Sequence, residues 1–226
     1  MNTIIADNII KTRKQIIGEC IDTLTVFECT NKIRIGNERD GGYVVMDING
    51  YDFLLSGGVG GDIGFEKSFT DKYNVHCICF DGTEQSGIEL TKNEPRIQYI
   101  NKNVGPINTE NISNFDFAFE KYNNIFMKLD IEGAEFDLFH SFTIEQLKKI
   151  RQLVMEVHFP RQLYHWQILE KLSQTHYLIH YHANNNNYVI YNMNHKSIPA
   201  VFECTYIRKD LLPNPLLNKE PFPTEL

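Results

Sequence analysis

Apolar positions change period in a regular way along this chain. Over residues 7–29 they fall at Ile9, Ile10, Ile16, Ile17, Cys20, Ile21 and Leu24, which predicts an amphipathic helix packed on the body that follows. Two short strand-like runs come next, 32–35 and 43–46, around the turn-rich Asn37-Glu38-Arg39-Asp40-Gly41-Gly42. From Tyr51 onward the period alternates between that of strands and that of helices. Strands are expected at 51–55, 75–80, 97–100, 125–131, 153–159 and 177–181, and helices at about 63–73, 134–142 and 163–175. Thr143, with Gln146 three residues on, predicts a capping box for a further helix to Ile150.

Strands alternating with helices predict an α/β fold, a mostly parallel sheet with helices on both faces. The last two strand-like runs, 188–191 and 201–207, have no helix between them and read as an antiparallel element closing one edge. The Asn184-Asn185-Asn186-Asn187 run sits in the turn before them. The prolines at 213, 215, 221 and 223 predict an extended tail laid over the surface. The expected organisation is a helix and hairpin extension over 1–50, a Rossmann-like domain over 51–212 and a Pro-rich tail over 213–226.

Composition narrows the function. Of 226 residues, 42% are hydrophobic and 23% charged, so the chain is globular. Lys and Arg total 22 against 29 Asp and Glu, a net charge of -7, which argues against a protein that grips a nucleic-acid backbone. No apolar run is long enough to span a bilayer, and the first residues do not read as a secretory signal. Five sparse cysteines predict no disulfide framework and a reducing, cytoplasmic setting. Oligomeric state is not encoded in any pattern of this kind.

The stretch Leu54-Leu55-Ser56-Gly57-Gly58-Val59-Gly60-Gly61-Asp62 carries the first chemical signal. A buried strand runs into glycines and a helix starts, which lets backbone approach a ligand closely. Asp81 ends the next strand about 20 residues on, where a ribose partner belongs. A dinucleotide would put its pyrophosphate at the helix N-terminus, but Asp62 and Glu66 stand there and would repel it. S-adenosylmethionine carries a cationic ammonium and sulfonium instead, and acid suits both. Cofactor binding is therefore expected at Gly58, Gly60, Gly61, Asp62 and Asp81, with the methyl donor preferred and an NAD(P)-dependent oxidoreductase as the rival.

A second signal is a polar stripe on strands that should be apolar on both faces. Lys128, Asp130 and Glu132 alternate with Met127, Leu129 and Ile131, and one strand later Glu156 and His158 alternate with Met155, Val157 and Phe159. Charge at two adjacent strand ends predicts a wet cleft. Methylating a hydroxyl requires a general base or a metal that acidifies the hydroxyl. Asp130, Glu132, Glu156 and His158 are the candidate catalytic residues: His158 has the intrinsic pKa of a proton acceptor, Asp130, Glu132 or Glu156 would orient it or hold the cofactor's cation, and Asp130, Glu156 and His158 also make a candidate divalent-metal site. Lys128 reads equally as part of that functional cleft or as half of a structural salt bridge to Asp130 or Glu132.

At these residues the chain resembles the FkbM-like methyltransferases, in the branch that includes the methyltransferase-like proteins of animals. The matching pieces begin with Arg34-Ile35-Gly36, Asp40-Gly41-Gly42-Tyr43-Val44, Gly58-Val59-Gly60-Gly61-Asp62 with Phe65-Glu66, and Phe80-Asp81-Gly82-Thr83. They continue with Lys128-Leu129-Asp130-Ile131-Glu132-Gly133-Ala134-Glu135, Glu156-Val157-His158, His182-Ala183-Asn184-Asn185 and Glu203-Cys204-Thr205-Tyr206-Ile207-Arg208. The resemblance implies a class I, S-adenosylmethionine-dependent O-methyltransferase with a seven-stranded sheet, acting on hydroxyls of sugars or glycosylated natural products. It also implies that Tyr43, in a turn that folds over the site, and His182, Asn184 and Asn185 meet a small-molecule or glycan acceptor. Ser56 and Gly57 depart from the family pattern, which places an acid at the end of this strand. A non-catalytic module that keeps the fold is the remaining alternative.

Overall fold

The computed structural model describes residues 22–38, 41–184, 189–193 and 196–219. Most of the helix expected over 7–29 lies outside these residues, and its last part is a 3₁₀ turn at Asp22–Leu24. In chain order the elements are β1 (Lys32–Ile35), β2 (Tyr43–Met46), β3 (Phe53–Gly57), α1 (Gly64–Tyr73), β4 (Cys77–Phe80), α2 (Gly87–Thr91), β5 (Ile97–Ile100), β6 (Asn103–Val104), β7 (Ile112–Ser113) and α3 (Asp116–Lys121). There follow β8 (Ile125–Leu129), α4 (Glu135–Ser141), α5 (Ile144–Leu147), β9 (Ile150–His158), α6 (Leu163–Ser173), β10 (His176–Ala183), β11 (Ile190–Met193), β12 (Lys196–Pro199) and β13 (Val201–Arg208).

The main sheet has seven strands in the order β10-β13-β9-β8-β3-β4-β5. Only β13 runs antiparallel to its neighbours. It sits one place in from the edge, between β9 and β10, rather than on the edge as the sequence pattern suggested. The β11–β12 hairpin that precedes it pairs apart from the main sheet. The stretch between β5 and β8 holds the two-residue strands β6 and β7 and the short helix α3. Residues at the start of the tail run beside the 26–28 segment, where Glu28 N–H bonds Leu216 and Asn218 N–H bonds Val26.

From β3 the chain moves outward one way, to β4 and β5, and then returns to lay β8 on the other side of β3. The loops after β3 and β8 therefore diverge, and a crevice opens where they part. Period two sorts the side chains. Ile125, Met127 and Leu129 enter the core under α3, α4 and α6, while Phe126 faces α1 with Leu54, Phe65 and Phe69. Lys128, two residues from Phe126, shares that second face, as do Glu156 and His158 after Val154.

The β1–β2 hairpin covers this second face, which explains why polar residues are tolerated there. Gln152 is fully buried. Its side-chain oxygen accepts from Met46 N–H at 3.1 Å, and its amide donates to Met46 C=O at 3.3 Å and to the Tyr51 hydroxyl at 3.0 Å. The Thr205 hydroxyl donates to Val44 C=O beside it. The capping box expected at Thr143 and Gln146 is present at the start of α5.

Replacing Gln152 with Ala removes the side-chain partner of Met46 N–H and of the Tyr51 hydroxyl, while Met46 C=O keeps Ile48 N–H at 3.0 Å. The expected cost is roughly 1–3 kcal/mol in urea denaturation, with faster amide exchange at Met46 than at Val154. Unchanged exchange at Met46 would show that the hairpin is held by other contacts.

Candidate functional site

The glycine loop leaves β3 pinned on three sides. Gly58 N–H donates to Phe80 C=O at 2.9 Å, and Gly58 C=O accepts from the Lys128 ammonium. Its Cα is pressed against the Asp130 backbone, and with φ of 75° neither the space nor the conformation admits a side chain. Gly60 also has positive φ, 56°, but nothing lies within 4 Å of where its Cβ would be, so it faces the crevice. The crevice has a volume of about 440 Å³, with Tyr43, Asp81 and Asp130 among its walls. A neighbouring hollow of about 260 Å³ shares Gly58, Asp81 and Asp130 and extends to Val104 and Ile131.

Asp81 is the clamp of the loop. One carboxylate oxygen accepts from Val59 N–H at 3.1 Å and Gly60 N–H at 2.8 Å. The other accepts from Thr83 N–H at 2.8 Å, Thr83 Oγ1 at 2.7 Å and Glu84 N–H at 3.1 Å. Burial works against its charge, but these donors, Thr83 and Gly60 first, hold its pKa below the usual carboxylate value. With five donors, its oxygens have no free acceptor site. The same geometry bears on the dinucleotide reading, because two loop N–H groups that would cradle a phosphate already point at a carboxylate.

Asp62 is likewise engaged. Its side chain accepts from Gly64 N–H at 2.8 Å, at the start of α1, and from the Asn37 amide, tying the loop to the hairpin. Ser56 stands where the family pattern expects an acid, yet an acid is there. The Ser56 hydroxyl donates to Glu66 Oε1 at 2.5 Å, holding the buried carboxylate of α1 against the end of β3. Nothing in the strand sequence announces this, because Glu66 arrives from the helix.

Beyond Leu129 the chain carries Asp130, then Glu132 with φ of 54°, then Gly133 with φ of 100°. Glu132 Oε2 lies 3.5 Å from His158 Nε2, Glu156 Oε2 lies 3.7 Å from it and Asp130 Oδ1 lies 4.0 Å from it. The four candidate catalytic residues are thus brought together around one imidazole edge. Ligand atoms of Asp130, Glu156 and His158 all fall within 4.8 Å of one another. Glu135, named earlier only as part of a motif, is the residue that orients His158. It is buried, accepts His158 N–H at 2.7 Å and Gly133 N–H at 2.9 Å, and places Oε1 3.3 Å from Nδ1. That last contact is an ion pair rather than an aligned hydrogen bond.

The electrostatics follow from this crowding. Burial, and then the charge of Asp130, raise the Glu156 pKa to about 7. Burial disfavours the His158 imidazolium, but the carboxylates of Glu135, Glu156 and Glu132 outweigh it and raise its pKa to about 9. Tyr43 is buried, with its hydroxyl donating to Asp130 Oδ2 at 3.4 Å. Burial and that charge push its pKa well above the phenol value, so it stays neutral. It forms the floor of the crevice.

The polar row continues across the sheet. Glu156 pairs in register with Glu203 on β13, and Glu203 with His182 on β10. His182 Nε2 lies 3.3 Å from Glu203, and the Asn184 amide donates to Glu156. Glu203 was not singled out from sequence, because its place beside Glu156 depends on the insertion of β13. Asn185 lies outside the described residues. Lys128 is buried, and among the described residues it has no ion pair with Asp130, Glu132 or any other carboxylate, so the salt-bridge reading does not hold.

A sequence model of the methyltransferase FkbM domain matches residues 22–190. No curated protein matches the chain with significance. Solved structures of similar shape include a putative S-adenosylmethionine-dependent methyltransferase from Listeria monocytogenes, 11% identical over 73% of this chain and 92% of that one, TM-score 0.44. A TehB-like SAM-dependent methyltransferase from Corynebacterium glutamicum is 9% identical over 73% and 83%, TM-score 0.43. Methanococcus jannaschii fibrillarin, a pre-rRNA processing protein, is 10% identical over 73% and 69%, TM-score 0.44. Likenesses this distant assign no substrate. Among the described residues, no helix is long and apolar enough to cross a membrane.

The two glycines of the loop should respond differently to a methyl group. Gly60→Ala adds only the strain of a left-handed conformation, about 1–2 kcal/mol. Gly58→Ala must also displace the Asp130 backbone and should cost clearly more in thermal unfolding. Equal losses would mean that the contact between the two loops is not tight.

Proposed function

We propose that this chain, which belongs to the FkbM methyltransferase family, transfers the methyl group of S-adenosylmethionine to a hydroxyl of a sugar or glycan. The observation that carries the chemistry is Glu156, a carboxyl tuned to about 7 that stands with His158 beside Asp130, itself a wall of the crevice. A general base works best when its pKa lies near the operating pH.

In this reading the larger hollow takes the methionine and ribose of the donor and the smaller one, with Val104 and Ile131 on its walls, takes the adenine. The ribose hydroxyls bind at Asp81 by taking the place of the Thr83 hydroxyl, the one side-chain donor on that carboxylate and free to rotate. Glu66, held at Ser56, supplies the acid for the donor's ammonium, with Gly58, Gly60 and Gly61 giving backbone access. Asp130 and Glu132 stand near the sulfonium, where negative charge favours the cation. The acceptor oxygen attacks the methyl carbon in line. As the new C–O bond forms, the S–CH₃ bond breaks, its electron pair stays on sulfur, and the hydroxyl proton passes to Glu156. His158, protonated and oriented by Glu135, holds the surrounding carboxylates in place.

The acceptor class is argued from the row Glu156, Glu203, His182 and Asn184, a run of donors and acceptors suited to several hydroxyls. The net charge of -7 disfavours a nucleic-acid acceptor. A second reading rests on the closeness of Asp130, Glu156 and His158. Two carboxylates and an imidazole fit a divalent cation such as Mg²⁺ or Mn²⁺, which would acidify the acceptor hydroxyl.

Incubation with isotopically labelled donor and a panel of sugars should yield a product heavier by one CH₂, read by mass spectrometry. Cofactor binding without turnover on any hydroxylated acceptor would favour a non-catalytic module. Loss of turnover with EDTA, restored by Mg²⁺ or Mn²⁺, identifies the metal reading, and insensitivity to EDTA leaves Glu156 as a plain base.

The pH profile supplies a separate check. Glu156 accepts a proton only when ionised, so kcat/KM should rise as pH climbs through about 7. His158 loses its charge as pH climbs through about 9, and activity should fall there. Glu156→Gln should remove the rising limb and lower kcat by roughly 10²–10⁴-fold. A variant that keeps the limb would move the base elsewhere.

A further inference from the structure

Lys128 is an anomaly in charge. It is 6% exposed on a central strand, and a buried cation normally sits against a counter-ion. Its ammonium donates to the carbonyl of Gly58 and lies 5.8 Å from the centre of the Tyr43 ring. Among the described residues no carboxylate forms an ion pair with it. Yet it lines a crevice whose other charged walls are Asp62, Glu66, Asp81, Asp130 and Glu132.

Each of those acids has a partner other than Lys128. Glu66 takes the Ser56 hydroxyl, Asp62 takes Gly64 N–H, and Asp81 takes the loop. Asp130 takes the Tyr43 hydroxyl and Glu132 faces His158. Among the described residues Lys128 is the single cation in the wall of this crevice, held to the glycine loop by one hydrogen bond with two ammonium donors remaining. Among the described residues, a ligand carrying a carboxylate has one place in this crevice where that group meets positive charge.

We propose that Lys128 receives the α-carboxylate of the donor's methionine end and so fixes which way the donor lies. This rests on the reading of the crevice as the S-adenosylmethionine site. The carboxylate enters beneath the hairpin, between Tyr43 and the loop, with Glu66 on the same face for the ammonium. The sulfonium is then directed towards Asp130. Reversed, the carboxylate would face acids on every side. Lys128 is in this sense a positioning residue for the donor, and it supplies no proton to the reaction.

The test is calorimetric titration with two ligands, S-adenosylmethionine and its decarboxylated counterpart, which keeps the adenosine, the sulfonium and the amine. The wild type should bind the carboxylated form roughly tenfold to hundredfold more tightly, the value of a hydrogen bond to a charged group. Lys128→Gln, which retains a donor for Gly58, should lose that factor for S-adenosylmethionine and bind the decarboxylated form as the wild type does. Lys128→Arg should keep most of the preference. Equal weakening towards both ligands in Lys128→Gln would reduce Lys128 to a prop for the loop and overturn the proposal. So would a wild type that does not distinguish the ligands, whatever the variants do. A wild type that binds neither overturns the donor reading itself, and this proposal with it.

Discussion

The meeting of Gly58 with the backbone of Asp130 is the constraint on which the site depends. Two loops that diverge from adjacent strands touch once, at their roots, and the touch is close enough to require glycine. Asp130 N–H bonds Gly57 C=O at 2.9 Å, so β3 and β8 stay paired up to that point. Everything beyond it is free to open. The crevice, the clamp on Asp81 and the position of Lys128 under the loop all follow from where the ladder ends.

The second consequence is electrostatic. Bringing Asp130, Glu132, Glu135 and Glu156 around His158 costs free energy in the folded state, because like charges gathered in a partly desolvated site repel. The protein offsets this in two ways. It keeps His158 protonated, and it lets Glu156 hold its proton to a higher pH. In the proposed function, a cationic donor in the crevice would relieve the same repulsion further along. The strained conformations nearby fit this account. Glu132 and Phe159 both take positive φ at the ends of β8 and β9, where the chain must turn sharply to present the cluster.

Much of the fold was legible because period and punctuation agree. The alternation at 127–132 and 154–159 placed Lys128, Asp130, Glu156 and His158 on shared faces, and the glycines marked the loop. What escaped the sequence reading depends on contacts between elements. Glu66 stands at the end of β3 only because the first turn of α1 lies over Ser56. Glu135 looks like an ordinary first-turn acid of α4, and its bond to His158 N–H requires β8 and β9 to be neighbours. Asp81 reads as a ribose partner from spacing alone, but spacing cannot reveal that five donors already surround it. The insertion of β13 was missed for the same reason, since a run of strand residues carries no record of which strands it will separate.

That insertion has a chemical result as well as a topological one. A strand on the outer edge would leave Glu156 next to solvent or to β10, which carries histidines. Placed between β9 and β10, β13 puts Glu203 in register with Glu156 on one side and His182 on the other. The acid beside Glu156 has an imidazole one strand further out, with His182 Nε2 3.3 Å from Glu203. The result is a graded row, with the cluster that titrates near neutrality at one end and a paired acid and histidine at the other. An acceptor lying along the row would present one hydroxyl to Glu156 while its other hydroxyls reach Glu203, His182 and Asn184. In the function proposed above, the one antiparallel strand of the sheet is what extends the donor site into an acceptor surface.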